Sequence, residues 1–469
     1  MRASRGGDAA LGQDLAAPPR GRQDGGIPAA GPVLGLPAAL SSRNRQSAHH
    51  HPTAAGISAM ADDQGFPPNL SRAQEAAPPP ADPAPRAPVP VFRPLLPCVE
   101  RLLPYLRRID ATRLYSNRGP LVEELEGRLA DLIAVPPHGL RLAASGTLAL
   151  MLAILAHAGR GVAEGARPVA LMPAFTFVAT AQAAEMCGWR PVFADVDPVR
   201  WTLDPDAVRA HPDFGRAGLI VAAAPYGILP DIAGLARLQA ETGVPVVVDA
   251  AAGFEALCDA PGTVSDTVPM ALSFHATKSF STAEGGAVAW GCASGQRRVM
   301  QIANFGFFGT RAARTIGLNA KMSDYHAAVG LAMLDDLAAR RAAQAHVADS
   351  YARAAQGRVA GRLHLPPRIS PAYALYEATD AGACARAEAA LHADAIESRR
   401  WYGHGVHREP WFADTQAPEA KAEAAGVLPV TCRLCDRLLG LPTAPDLDLA
   451  SIAWIVAALA RAEAEGRAR

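Results

Sequence analysis

Lys278 stands in the stretch ALSFHATKSFSTAEGGAVAW, residues 271–290. An apolar run leads into Ser273, Phe274, His275, Ala276 and Thr277, and a Gly285-Gly286 turn opens a second apolar run, Ala287 to Trp290. This pattern predicts two strands joined by a short, hydroxyl-rich connection that carries the lysine. Taken alone, a lysine among Ser273, Thr277, Ser279, Ser281 and Thr282 reads as a surface residue. Two other segments change that reading. Val246-Val247-Val248-Asp249 has the character of a buried strand ending in a carboxylate, which needs a cation or hydrogen-bond donors once it leaves water. Ala144-Ser145-Gly146-Thr147 opens onto the run LALMLAILAHAG, so the unpaired N–H groups of a helix's first turn would receive an anion there.

A phosphate cradle, a carboxylate at a strand tip and an amine in a polar turn together describe a site for pyridoxal phosphate (PLP). The lysine condenses with the aldehyde, the aspartate keeps the pyridine nitrogen protonated and the small-residue loop holds the phosphate. On this reading Lys278 and Asp249 are catalytic, and Ser145, Gly146, Thr147 and Ser273 line the cofactor.

Such groups need a scaffold that brings distant segments to one edge. From Leu142 to Trp290, short apolar runs at 169–172, 192–196, 219–223, 244–248, 271–274 and 287–290 alternate with helix-compatible segments such as 179–187 and 232–242. That alternation predicts an α/β domain with a mostly parallel sheet covered by helices on both faces. Ligands in such sheets bind beyond the carboxyl ends of the strands, where Asp249 and the Ser145 loop are expected. Phe177 follows one of these strands; as an isolated aromatic it would belong to the core.

The motifs SGT, PAFTFVAT, VVVDAA, SFHATKSFSTAEGG and GLNAKMSD, in this order and spacing, resemble the DegT/DnrJ/EryC1/StrS family of PLP-dependent nucleotide-sugar aminotransferases. The resemblance runs from about Pro90 to the C-terminal helix. It implies a fold-type-I transferase, like aspartate aminotransferase, with a PLP-binding large domain over residues 89–345 and a small α+β domain over 346–469. It further implies that Phe177 stacks on the cofactor and that Asn319 reaches the phosphate in the neighbouring subunit, hence a homodimer with shared sites. Asn117, in the Asn117-Arg118-Gly119-Pro120 turn, would lie near the sugar, although a simple turn and helix cap explains these residues equally well. Lys321 stands where many relatives carry Arg; it keeps the charge for a substrate diphosphate without the planar fork. Ala252 stands where many relatives carry Gln or His against the cofactor's ring hydroxyl, a hydrogen bond that Ala cannot make.

The implied activity is transfer of an amino group, by family likeness from glutamate, to a nucleotide-linked keto-sugar in amino-sugar, surface-polysaccharide or glycoside biosynthesis. A cyclitol aminotransferase of the same chemistry is an alternative. A non-catalytic regulator on the same fold is another, against which retention of both Lys278 and Asp249 speaks.

Composition agrees with this class. The 469 residues carry 45 basic and 45 acidic side chains, which gives no electrostatic case for nucleic acid or an anionic membrane. Seven scattered cysteines point to a reducing, cytoplasmic compartment. The Cys432/Cys435 pair and His404 with His407 lack the further ligands a metal site requires. Residues 1–88, rich in Ala, Pro, Gly and Arg, lack hydrophobic periodicity and are expected to be disordered. Nothing there supports a signal peptide or membrane span, and Met60 is a plausible true start.

Overall fold

The computed structural model describes residues 87–161, 168–415 and 428–468. The expected leader over 1–88 therefore lies almost wholly outside the described residues. Among the described residues seven strands form one sheet: β1 (Leu140–Ala143), β2 (Val169–Pro173), β3 (Arg190–Ala194), β4 (Ala217–Ala223), β5 (Val246–Asp249), β6 (Met270–Ser273) and β7 (Gly286–Ala289). Their spatial order is β1-β7-β6-β5-β4-β2-β3. β7 pairs antiparallel with both β1 and β6, and the other pairings are parallel, so β7 alone runs against the rest.

This topology sets up the site. Ala143, Gly286 and Ser273 face one another across three adjacent strands, and Asp249 pairs with Ala271 on the next. The ends of β1, β5 and β6 thus share one edge of the sheet.

The continuous apolar runs follow from burial on both faces. In β5, Val246 and Val248 enter one core with residues of α1 (Val99–Thr112) and α2 (Pro120–Leu132), while Val247 enters the opposite core with α3 (Gly146–His157) and α4 (Val178–Met186). α3 is apolar all round because it is buried all round. Pro120 occupies the first turn of α2, where its missing N–H leaves no bond unmade. Between them, α5 (Pro205–Arg209), α6 (Ile232–Thr242), α7 (Phe254–Asp259) and α8 (Ala293–Ala303) complete the covering layers.

Downstream, a single long helix is expected from about Tyr325. The chain instead forms α9 (Asp324–Asp335) and α10 (Leu337–Ala355), interrupted at Asp336. Ser323 is the N-cap of α9 and accepts from the His326 N–H at 3.3 Å. Asp324 enters the first turn and is 1% exposed. α10 continues through residue 346, where the character of the sequence changes.

A three-stranded antiparallel sheet follows, β8 (Arg362–His364), β9 (Ala374–Glu377) and β10 (Leu438–Leu441), in the order β10-β9-β8. α10, α11 (Ala381–Ala393) and the C-terminal helix Leu449–Ala468 pack on it. Asp448 caps that last helix by accepting from Ser451 N at 2.7 Å, whereas Asp446 pairs with Arg93 at 2.7 Å. The two sheets are tied by backbone bonds, Val406 N to Ala174 O at 3.0 Å and Ser370 N to Tyr226 O at 2.7 Å.

Candidate active site

The turn after β6 is built from its own hydroxyls. Phe274 N donates to Gly285 O at 2.8 Å and Ala276 N to Ala283 O at 2.8 Å, continuing the β6–β7 ladder. Ser281 Oγ donates to Phe274 O at 3.1 Å and accepts from Ala283 N at 2.9 Å. Ser281 is thus spent on the backbone rather than offered to a ligand. Beneath the turn, Phe280 packs on Phe254 at 4.8 Å and Phe274 at 5.0 Å between ring centres. So fastened, the turn presents Lys278, half-buried, with its Nζ 3.2 Å from Tyr373 Oη.

Tyr373 comes from just before β9, 95 positions along the chain. It is 7% exposed and held edge-on by Tyr226 at 5.2 Å and Trp401 at 5.4 Å. Tyr402 joins this wall, its phenol oxygen accepting from Tyr226 N at 3.0 Å. Tyr226 adopts φ 52°, a left-handed conformation costly for a bulky side chain, and strain of this kind gathers at functional sites. Ala252 is packed in the same aromatic cluster.

Asp249, at the end of β5, has a protein donor on each oxygen. Thr180 Oγ1 donates to Oδ2 at 2.6 Å and Ala251 N to Oδ1 at 3.1 Å. Behind Thr180 lies Thr176, hydroxyl to hydroxyl at 2.8 Å. Burial pushes the Asp249 carboxyl above the ordinary carboxylate range, and the Thr180 bond, the Ala251 N–H and the Lys278 charge pull the other way.

At the start of α3, Ser145 is the N-cap and accepts from Leu148 N at 3.2 Å, which leaves its own O–H free to donate outward. Two glycines make the cradle. A Cβ on Gly146 would stand 2.6 Å from Ser273 Cβ, and one on Gly286 would stand 2.6 Å from Ser145 O. Only glycine lets the strand ends close this tightly, so Ser145, Gly146 and Ser273 meet, with Thr147 exposed beside them. This donor set at a helix N-terminus, with a carboxylate at the end of β5 and an amine in the turn after the neighbouring β6, has the chemistry that PLP requires.

Phe177 is 57% exposed at the N-cap of α4, which overturns the reading of it as a core aromatic. Phe175 turns inward to Trp201 and Tyr402, whereas Phe177, past the end of β2 at Pro173, opens α4 and stands out from the core.

Asn117 and Lys321 lie elsewhere, together, on a cleft of about 370 Å³ that Lys278 and Asp249 do not line. Asn117 is exposed at φ 63°, a conformation asparagine tolerates. Lys321 Nζ donates to Asn319 Oδ1 at 2.8 Å and sits 4.5 Å from the centre of the Phe305 ring. Asn319 is exposed and its side chain is held by Lys321. Ala320 O nevertheless accepts from Ala144 N at 2.9 Å, which fastens this segment beside the Ser145 loop.

The sequence reading missed Thr176, Thr180, Tyr226, Tyr373 and Tyr402. The two threonines carry a legible signal, hydroxyls four apart in a segment otherwise apolar. The tyrosines carry none, since only the docking of the second sheet brings them to Lys278.

His407 is buried and 3.9 Å from Cys432 Sγ; burial first, then Arg408, pushes its pKa down to about 4. Among the described residues no group of three or more His, Cys, Asp and Glu could hold a metal ion. No helix among them is long and apolar enough to cross a membrane.

A model of the DegT/DnrJ/EryC1/StrS aminotransferase family matches residues 99–460. Protein Rv3402c of Mycobacterium tuberculosis is 32% identical over 384 residues, covering 81% of this chain and 91% of that protein. The dTDP-4-amino-4,6-dideoxy-D-glucose transaminase of Shigella dysenteriae is 31% identical over 250 residues, 53% of this chain and 65% of that protein. The crystal structure of DesI in the presence of its TDP-sugar product superposes with a TM-score of 0.71 at 30% identity, covering 82% of this chain and 95% of that one.

Proposed function

The chain belongs to the DegT/DnrJ/EryC1/StrS aminotransferase family and is a PLP-dependent aminotransferase; from that premise we propose that it moves an amino group from glutamate to the keto group of a nucleotide-linked sugar. The observation that carries the reading is the convergence, at one edge of the sheet, of the Lys278 amine, the Asp249 carboxylate and the Ser145–Gly146–Ser273 cradle.

When bound, PLP supplies an electron-accepting pyridine ring to the carbon that loses its proton. Ser145, Thr147 and Ser273 would hold the phosphate, with the N–H groups of α3 behind them. Phe177 would lie against the ring face, and Asp249 would hold the proton on the pyridine nitrogen. Lys278 Nζ would hold the cofactor at its aldehyde carbon and, when free, would be the base that carries the proton from the donor's α-carbon to that aldehyde carbon, two atoms along. Tyr226, Tyr373 and Tyr402 line the wall beside Ala252, supplying phenols where its methyl group has no donor, and they exclude water from the reacting edge.

The second cleft supports a shared site. Lys321 offers a charge to a substrate diphosphate and Asn117 a polar group to the sugar, while Asn319 would reach the phosphate in a partner subunit's site. Leu114, Tyr115 and Tyr325 are each about half exposed, with the two tyrosines stacked at 6.2 Å, and they form an apolar surface suited to a second copy.

The test offers nucleotide keto-sugars differing in ring position and nucleotide, together with glutamate, and scores products by mass spectrometry. Amination of at least one is expected. If the protein accepts the amine from glutamate yet aminates none of them, while aminating a keto-cyclitol, the nucleotide-sugar assignment is wrong.

A further inference from the structure

Asp249 does not stand alone at the end of β5. Thr180, fully buried in the first turn of α4, reaches its Oδ2 at 2.6 Å, and Thr176, 4% exposed, reaches Thr180 at 2.8 Å. A threonine in a helix's first turn can bond a backbone carbonyl or its own cap. Among the described residues the Thr180 hydroxyl does neither; both of its contacts are to side chains.

The chemistry of the end group orders the chain. An ionised carboxylate only accepts, so Thr180 must donate to Asp249, and its lone pair is then free to accept from Thr176. Were Asp249 protonated on Oδ2, its O–H would donate to Thr180 and the row would reverse. Hydrogen bonds in such a row polarise one another, and those ending on a charge are the strong ones. Phe177 sits between the two threonines in sequence, so the segment that would present the ring-facing aromatic also carries the row.

We propose that Thr176 and Thr180 form a directed hydroxyl relay that aims the Asp249 carboxylate and donates to its charged form, making Thr180 a positioning residue for the reaction. The proposal rests on the assignment of Asp249 to the pyridine nitrogen. Among the described residues, the titratable groups facing Asp249 are Lys278, from the turn after β6, and Tyr402, from the segment after α11. Neither is on α4, so a change at Thr180 leaves both in place.

Thr180→Val keeps the side-chain shape and removes the hydroxyl; Thr180→Ser restores the hydroxyl and removes a methyl group. In apoprotein carrying carbon-13 at the aspartate carboxyl, the Asp249 signal is identified by its absence in Asp249→Asn. Its titration midpoint is expected to move up by about one pH unit in Thr180→Val, a tenfold change in proton affinity, and to return close to wild type in Thr180→Ser. In the PLP-loaded enzyme the acidic limb of kcat/KM should move in the same direction and be rescued by serine.

A Thr180→Val protein with lowered Tm and an unmoved Asp249 midpoint would mean that Thr180 only packs, and the relay falls. If Thr180→Val does not fold, Thr176→Val must still raise the midpoint, by a smaller amount, and no movement there overturns the relay as well. Absence of PLP binding in every variant and in wild type would instead defeat the proposed function, while the carboxyl titration still decides the relay.

Discussion

The two clefts that carry the candidate residues are built differently. Around Lys278 and Asp249 nearly every polar group has a partner supplied by the same chain: Tyr373 for the amine, Thr180 and Ala251 for the carboxylate, and tight glycine contacts for the cradle. Around Asn117 and Lys321 the walls are open, Asn319 and Phe305 are exposed, and among the described residues Lys321 finds only Asn319 and an aromatic face. Arg118 beside them is already committed to the buried Glu126 at 2.7 Å. Groups fixed by their own chain are preorganised, whereas an open cleft is completed by what docks on it. The proposed function puts chemistry in the first cleft and recognition in the second.

The largest test of that division is Lys278→Ala. Amino transfer should fall by about 10⁴-fold, since both the covalent anchor and the proton carrier are lost. Borohydride reduction of the wild type followed by peptide mapping should find the pyridoxyl group on Lys278; a label on Lys321 would exchange the roles of the two clefts.

Next comes Asp249→Asn, for which turnover should drop by about 100-fold to 1,000-fold with PLP still bound. The same substitution has a second consequence. Burial raises the Asp249 carboxyl above its ordinary value of 3.8, so the folded state holds this proton more tightly than the unfolded chain does. Its contribution to stability is therefore favourable at low pH and lost as pH rises from that value through the raised one. At neutral pH the apoprotein of Asp249→Asn should melt about 2 °C above wild type. That gap should close as the pH falls toward about 4. A variant less stable than wild type at neutral pH would make the carboxylate a structural element rather than a strained functional one.

In the open cleft, Lys321→Ala should raise the KM for the nucleotide sugar by about tenfold with kcat little changed, the signature of lost uniform binding. A fall in kcat with unchanged KM would move Lys321 into the chemistry.

The mildest effect sharpens the comparison most. Lys278→Ala and a disruptive Asn319 variant, each poorly active, should recover roughly a quarter of wild-type activity after statistical subunit exchange, because one site in each mixed dimer is intact. No recovery despite exchange, measured by native mass spectrometry, would confine both clefts to one chain's own use.

Much of this was legible in the residues. The unbroken valines of β5, the all-apolar α3 and the Gly286 turn each fix their local structure, because burial on two faces, burial all round and a close strand contact admit few other sequences. The fold class, the strand tip bearing Asp249, the Ser145 loop and the Lys278 turn follow from them. The hydroxyls around Lys278 were legible as a group but not individually: Ser281 turned out to serve the backbone and Ser273 the cradle. The break at Asp336 was not legible, since both α9 and α10 have helical composition and the turn between them answers to packing.

Local pattern, then, determined which segments are strands and helices and which of them end in polar groups, because side-chain periodicity and glycine placement act over a few residues. Tertiary structure alone decided what those ends touch. Tyr373 meets Lys278 across 95 positions, and Thr180 meets Asp249 across 69, through contacts that depend on how layers stack rather than on any residue's neighbours in sequence. It also decided that Phe177 faces outward, since the same aromatic ring is equally at home in a core or at a site until the sheet edge is built around it.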